Sequence, residues 1–222
     1  MTDDSSTQKV GTDSVLLGAW APLPEEGLIL DVGTGCGILA LQAAQRTRCE
    51  IVGIDIHGPS VHQALANFQN SPWSHRLSAL KIAMQDYQPE SPFDAILCNP
   101  PYFSQSLKSP YAYRNTARHD EELPLHEFFL HGTRLLKPDG ECFLCLQASE
   151  LNRAMLESAY HGFFLQGVVN VSSREQLRPY LVLLAFRRKP GPIRSGSLII
   201  KDKQGNYTEA YRTLTRDFYL YF

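Results

Sequence analysis

The sequence predicts an α/β fold: a doubly wound, mostly parallel sheet with helices on both faces. Three observations carry that expectation. Short apolar runs alternate with segments of helical period along most of the 222 residues, the pattern of a parallel sheet covered on both sides. The first run leads straight into Gly33, Gly35 and Gly37. The fourth run ends in Asn99-Pro100-Pro101-Tyr102, at the carboxyl end of a strand, the edge where open α/β sheets bind ligands.

Each element has a local reason. Met1–Gln8 is polar and rich in Ser, Thr and Asp, so residues 1–8 read as a disordered tail. Residues 9–222 read as one domain that ends in a small strand-helix extension. Thr12 or Asp13 can cap a helix to Trp20, which Pro22-Leu23-Pro24 ends. Leu28–Val32 is a strand, and Ile38–Arg46 a helix beyond the glycines. Glu50–Ile54 is the second strand, with Asp55 at its end. Pro59–Asn70 is a helix with proline in its first turn. Leu77–Met84 and Phe93–Cys98 are the third and fourth strands, and Ser104–Glu122 is a long polar loop. A helix over Leu125–Leu136 closes on a Lys137-Pro138-Asp139-Gly140 turn before a strand at Cys142–Leu146. Ser149 can cap a helix to Tyr160. Strands follow at Phe163–Val171 and Tyr180–Arg187, and Ile193–Ile200 with Tyr207–Phe218 form the extension.

Bulk properties remove several functions. A net charge of −2 gives no overall basic field, so contact with nucleic acid must rest on local patches. No apolar run is long enough to span a membrane, and the short polar start is no signal peptide. Five cysteines, Cys36, Cys49, Cys98, Cys142 and Cys145, have no disulfide-framework spacing and indicate a reduced, cytoplasmic chain. Cys142 and Cys145 are spaced as C-x-x-C, but in a strand they point to opposite faces, so no metal is expected.

The strand ends carry the chemistry. The glycines allow a tight turn and close approach of a ligand to a helix N-terminus. Their G-x-G-x-G spacing departs from the dinucleotide pattern, and Asp31 before them would repel a pyrophosphate. It can accept hydrogen bonds from an ammonium group instead. Asp55, with Ile56 beside it, can meet a ribose diol, and Asp86 after the third strand can face an adenine amino group. An amino acid, a ribose and an adenine without phosphates describe S-adenosyl-L-methionine. In Asn99-Pro100-Pro101-Tyr102 the prolines stiffen the backbone carbonyls, the Asn offers a further acceptor, and the tyrosine offers a stacking face. That set can hold a planar –NH2 group; it also suits a plain rigid turn.

At this point the chain resembles the class I S-adenosylmethionine-dependent methyltransferases, which implies a Rossmann-like sheet of seven strands. The Asn-Pro-Pro-Tyr motif narrows the resemblance to enzymes that methylate planar nitrogens: adenine-N6, guanine-N2 of rRNA, or glutamine-N5 of proteins such as release factors. The flanks narrow it further. Lys9-Val10-Gly11-Thr12-Asp13-Ser14-Val15-Leu16-Leu17-Gly18-Ala19-Trp20 is similar to the matching segment of the bacterial tRNA1(Val) (adenine(37)-N6)-methyltransferases. So are Gln69-Asn70-Ser71-Pro72-Trp73, Val182-Leu183-Leu184-Ala185-Phe186 and Tyr207-Thr208-Glu209-Ala210-Tyr211. Members of that family carry a longer, basic and aromatic segment before Lys9, where this chain has a short acidic-polar one. The resemblance implies cofactor contacts at Asp31, Gly33, Asp55, Asp86 and Asn99, joined as candidates by Gly35, Gly37 and Ile56. It implies target-base contacts at Asn99, Pro100 and Tyr102, a tRNA substrate, and a monomer acting on neither DNA nor membrane.

Other readings stay open. Lys108, Arg114, Arg118 and His119 alternate with Tyr111 and Tyr113, which suits a splayed RNA strand and equally suits a solvated loop. Arg187-Arg188-Lys189, Arg194, Lys201 and Lys203 can form a phosphate patch, though a solvated strand end fits them slightly better. His57 reads as a turn residue rather than a catalyst. A glutamine methyltransferase shares the –NH2 geometry. An RNA-binding module without a cofactor conflicts with the intact acids and glycines. A nicotinamide dehydrogenase conflicts with the glycine spacing.

Overall fold

The computed structural model describes residues 11–100 and 123–219. Eight strands form one sheet: β1 (Leu28–Val32), β2 (Glu50–Asp55), β3 (Leu77–Lys81), β4 (Phe93–Cys98), β5 (Leu136–Gln147), β6 (Phe164–Arg174), β7 (Leu181–Arg187) and β8 (Arg194–Lys201). Their order is β3-β2-β1-β4-β5-β7-β6-β8. β7 runs antiparallel to both its neighbours, and the other pairings are parallel. The strand of the extension, β8, joins the same sheet beside β6, which makes eight strands where seven were expected.

Alternation along the strands builds two cores. On one face Ile29, Ile51, Leu97, Phe143, Cys145 and Leu183 pack beneath α1 (Thr12–Trp20), α2 (Ile38–Arg46), α3 (Gly58–Gln69) and α6 (Glu209–Thr215). On the other, Leu30, Ile96, Cys98, Cys142, Leu144 and Phe186 meet α4 (Leu125–Leu135) and α5 (Leu151–Tyr160). Cys142 and Cys145 therefore lie in different cores, and all five cysteines are buried and outside any disulfide. Truncating a buried aromatic such as Phe143 would cost about 3–5 kcal/mol.

Several boundaries differ from expectation for physical reasons. β3 stops at Lys81 because its only partner among the described residues, β2, ends opposite it at Asp55. The Lys137–Gly140 stretch is not a turn that precedes a strand but an outward bulge within β5. Phe93 pairs with Leu136, yet Ala95 pairs with Glu141. The Lys137 ammonium lies 2.8 and 2.9 Å from the two Asp94 oxygens, fastening that bulge to β4. Ser149 sits inside a 3-10 turn, Ala148–Glu150, so Glu150 takes the N-cap position of α5. Gly11, rather than Thr12 or Asp13, precedes α1 as its N-cap. The last helix shortens to Glu209–Thr215, and Thr208 caps it through its hydroxyl to the Tyr211 amide.

The strand order reverses between β1 and β4. Val32 pairs with Cys98 at the carboxyl end of both, so the glycine turn and Asn99 leave the sheet side by side. That is the topological switch point where such sheets bind ligands.

Candidate active site

One wall of the crevice is built from β1 and its turn. Asp31 is fully buried. Its Oδ2 accepts hydrogen bonds from the Thr34 hydroxyl (2.7 Å) and the Ala40 amide (3.2 Å). Its Oδ1 is buried and has no partner among the described residues. Burial pushes the carboxyl up to about 7, while the Thr34 and Ala40 bonds act the other way and the Asp55 charge adds to the rise. A buried acid with one bare oxygen suits a cationic donor.

The three glycines are needed where they stand. Gly33, Gly35 and Gly37 have φ of 71°, 55° and 85°, values that side chains rarely adopt. Gly37 caps α2, and a side chain there would strike the Phe68 ring. A Cβ on Gly33 would meet nothing within 4 Å, so open space lies against the strand end. Gly53 has a different duty: any side chain on it would displace Thr34 from Asp31.

Asp55 ties the crevice together. Its Oδ2 accepts from the Gly35 amide (2.9 Å) and its Oδ1 from the His57 amide (2.8 Å). Both oxygens keep a lone pair for a diol. Ile56 beside it is 44% exposed, an apolar side chain left in solvent at the ligand edge. His57 caps α3, with its Nδ1 2.9 Å from the Ser60 hydroxyl. Asp86 lies exposed in the turn after β3.

Across the crevice, the Asn99 amide nitrogen donates to the Ser14 hydroxyl at 2.8 Å. Its Oδ1 is buried and has no partner among the described residues. Pro100 is buried. Ser14 comes from α1, 85 residues away in sequence, and nothing in its own neighbourhood marks it as part of a site. Tyr102, Lys108, Tyr111, Tyr113, Arg114, Arg118 and His119 lie outside the described residues.

The C-terminal cations do not form one patch. β8 runs parallel to β6, so Arg194 (opposite Gly167) and Lys201 (opposite Arg174) occupy opposite ends of the strand. Arg187 is paired with Glu141 (2.7 Å), Lys189 with Asp139 (2.5 Å) and Lys203 with Glu175 (3.7 Å). Lys201 sits over the Tyr207 ring.

Among the described residues no helix is long and apolar enough to cross a membrane. Residues 6–164 match the family described as the methyltransferase small domain. A tRNA1(Val) (adenine(37)-N6)-methyltransferase of Aeromonas salmonicida is 39% identical over 224 residues, covering 98% of this chain and 92% of the relative. An enzyme of the same name from Phocaeicola vulgatus is 36% identical, covering 98% and 93%. Among solved structures, a predicted O-methyltransferase of Agrobacterium tumefaciens superposes with a TM-score of 0.74 at 15% identity, over 95% of this chain and 98% of its own. The glycopeptide N-methyltransferase MtfA, complexed with S-adenosyl-L-methionine, has a TM-score of 0.58 at 11% identity, over 78% of this chain and 94% of its own.

Proposed function

The chain belongs to the tRNA1(Val) (adenine(37)-N6)-methyltransferases, and we propose that it methylates the exocyclic N6 of adenine 37 in that tRNA with S-adenosyl-L-methionine. The observation that carries this reading is a pair of bare, buried oxygens at the switch point: Asp31 Oδ1 on the cofactor side and Asn99 Oδ1 on the other. The residues present suit the cofactor. Asp31 Oδ1 awaits an ammonium, the space against Gly33 leaves room for its chain, and Asp55 and Ile56 offer a diol acceptor and an apolar surface. The proposed cofactor residues are therefore Asp31, Gly33, Gly35, Gly37, Asp55, Ile56, Asp86 and Asn99. When bound, S-adenosyl-L-methionine supplies an electrophilic sulfonium methyl.

The chain's own work is to hold and polarise the amine. The N6 lone pair of adenine is delocalised into the ring and is a weak nucleophile. Asn99 Oδ1 and the Pro100 carbonyl accept its two N–H bonds, which favours a pyramidal nitrogen with an available lone pair. Positive charge develops on that nitrogen, so two fixed acceptor dipoles stabilise the transition state more than the ground state. Ser14 holds the Asn99 amide with its NH2 turned away from the base, leaving oxygen as the group presented. Pro100 restricts Asn99 to extended backbone, so the acceptors are ordered before the base arrives. No side chain has to remove a proton from the amine before transfer; the proton leaves the cationic product.

An adenine in an anticodon loop must leave its stack to reach this crevice. Tyr102 is proposed as the stacking partner, worth roughly 1–3 kcal/mol, and Lys108, Arg114, Arg118 and His119 as backbone contacts. Five buried cysteines outside any disulfide fit a reducing compartment, and a tRNA substrate fits the cytoplasm. β8 and α6 extend a single methyltransferase domain.

Incubating the protein with labelled S-adenosyl-L-methionine and unmodified bulk tRNA, then identifying the methylated nucleoside, tests the reading. N6-methyladenosine at one position of one tRNA is expected. N2-methylguanosine, or label recovered only in protein, would replace it.

A further inference from the structure

His126, Glu157 and His161 bring three metal-ligating atoms within 4.8 Å of one another. His126 lies in the first turn of α4; Glu157 is in the last turn of α5 and His161 caps that helix. His161 Nε2 is 3.1 Å from His126 Nδ1, which is 3.4 Å from Glu157 Oε2. Glu157 and His161 are four residues apart, so they share one side of α5. His126 comes to them from 35 residues away in sequence.

The cluster is poorly satisfied by its own protons. A neutral imidazole carries one N–H, and a proton between one pair of these atoms leaves the third facing a lone pair. A cation at their centre satisfies all three. Two of the three separations, 3.1 and 3.4 Å, match the edge of about 3.3 Å between tetrahedral ligands at Zn–N and Zn–O distances of 2.0–2.1 Å. The third, His161 to Glu157, is wider but within 4.8 Å, and a turn of the partly exposed Glu157 side chain closes it. The side chains are partly open, with His126 46% and Glu157 27% exposed, so an ion and a water can reach them.

We propose that His126, Glu157 and His161 form a divalent transition-metal site, with Zn2+ as its ion and water in the fourth position. Two imidazoles and one carboxylate suit zinc better than magnesium or calcium, which prefer all-oxygen shells. The site is separate from the methyl-transfer crevice. His161 precedes Phe164, which pairs with Arg187; Arg187 pairs with Glu141, and Glu141 with Ala95. That row lies towards the amino ends of β4 and β6, away from the edge bearing Asp31 and Asn99. The ion would fasten the start of α4 to the end of α5. α4 begins three residues after the segment 101–122, which carries the proposed base and backbone contacts. The sequence alone predicts no metal: the C-x-x-C pair splits across a strand, and His126 reaches Glu157 and His161 only in the fold.

The test uses tag-free, chelator-stripped full-length protein titrated with Co2+ and then Zn2+. One equivalent of Co2+ is expected to give the visible bands of a low-coordinate N/O site, and Zn2+ is expected to displace it. Zn2+ should also raise the thermal midpoint. His161→Gln and Glu157→Gln should each weaken binding by more than roughly tenfold, while their metal-free midpoints and basal methyl transfer stay at the wild-type values. If His161→Gln is unstable, His126→Gln serves in its place. Binding that persists in the variants, or a cluster that answers to pH and not to metal, would overturn the proposal.

Discussion

Asp31 and Asn99 stand at the carboxyl ends of neighbouring strands, each with one oxygen that has no partner among the described residues, yet they are held in different ways. Asp31 is an acid fixed by its own turn and helix, through Thr34 and Ala40, three and nine residues on. Asn99 is a neutral amide fixed by Ser14, 85 residues earlier. The proposed cofactor side is thus a local device that a strand, a turn and a helix N-terminus assemble together. The proposed target side depends on α1 having packed against the sheet. A change on one side should affect cofactor affinity, and a change on the other should affect turnover.

Asn99→Ala should break the comparison most sharply. It removes an acceptor aimed at developing positive charge, and kcat should fall by roughly 10²–10³-fold. Affinity for S-adenosylhomocysteine, measured calorimetrically, should fall far less than kcat, because Asp31 and Asp55 carry most of the proposed cofactor contacts. Near-normal turnover in this variant would remove Asn99 from the chemistry.

Asp31→Asn should give the opposite pattern. The new amide can still accept from Thr34 and Ala40 through its oxygen, but its NH2 then faces the ligand's ammonium. Losing a charged hydrogen bond costs about 1.5–3 kcal/mol, so S-adenosylhomocysteine should bind roughly 10- to 100-fold more weakly. Turnover at saturating cofactor should change less.

The pH profile sharpens the same contrast. Burial raises the Asp31 acid to about 7 from an ordinary 3.8. The folded protein therefore holds this proton more tightly than the unfolded chain does. The associated stability is fully present below about pH 4 and is lost as pH rises through about 7. Asp31→Asn should lack that slope, so the difference between the two thermal profiles isolates it. An ammonium ligand needs the ionised acid. The midpoint shift from S-adenosylhomocysteine should accordingly grow as pH rises through about 7 in the wild type and stay flat in Asp31→Asn.

What was legible in the sequence follows the same division. The glycine turn, Asp31 and Asp55 were readable because each lies at or just beyond the carboxyl end of a strand. Six of the strands appeared near their expected limits for the same reason. β3 ran shorter than expected because its end is set by β2, and the Lys137–Gly140 bulge became part of β5 through a pairing with β4. Such facts belong to neighbours distant in sequence. Ser14 and the His126 cluster were illegible for that reason: the partners that give them meaning lie 85 and 35 residues away.

Ser14→Ala should produce the smallest effect and the most discriminating one. It leaves Asp31, the glycines and Asp55 untouched and removes no atom of Asn99. It removes only the acceptor that turns the Asn99 amide nitrogen away from the base. A single neutral hydrogen bond contributes about 0.5–1.5 kcal/mol, so kcat should fall by roughly two- to tenfold. Ser14→Thr keeps the hydroxyl and should restore most of that loss. A merely structural role for Ser14 would lower the thermal midpoint and weaken S-adenosylhomocysteine binding alongside turnover. A positioning role predicts that kcat alone moves, because the amide can then flip and present its NH2 to an amine that needs an acceptor.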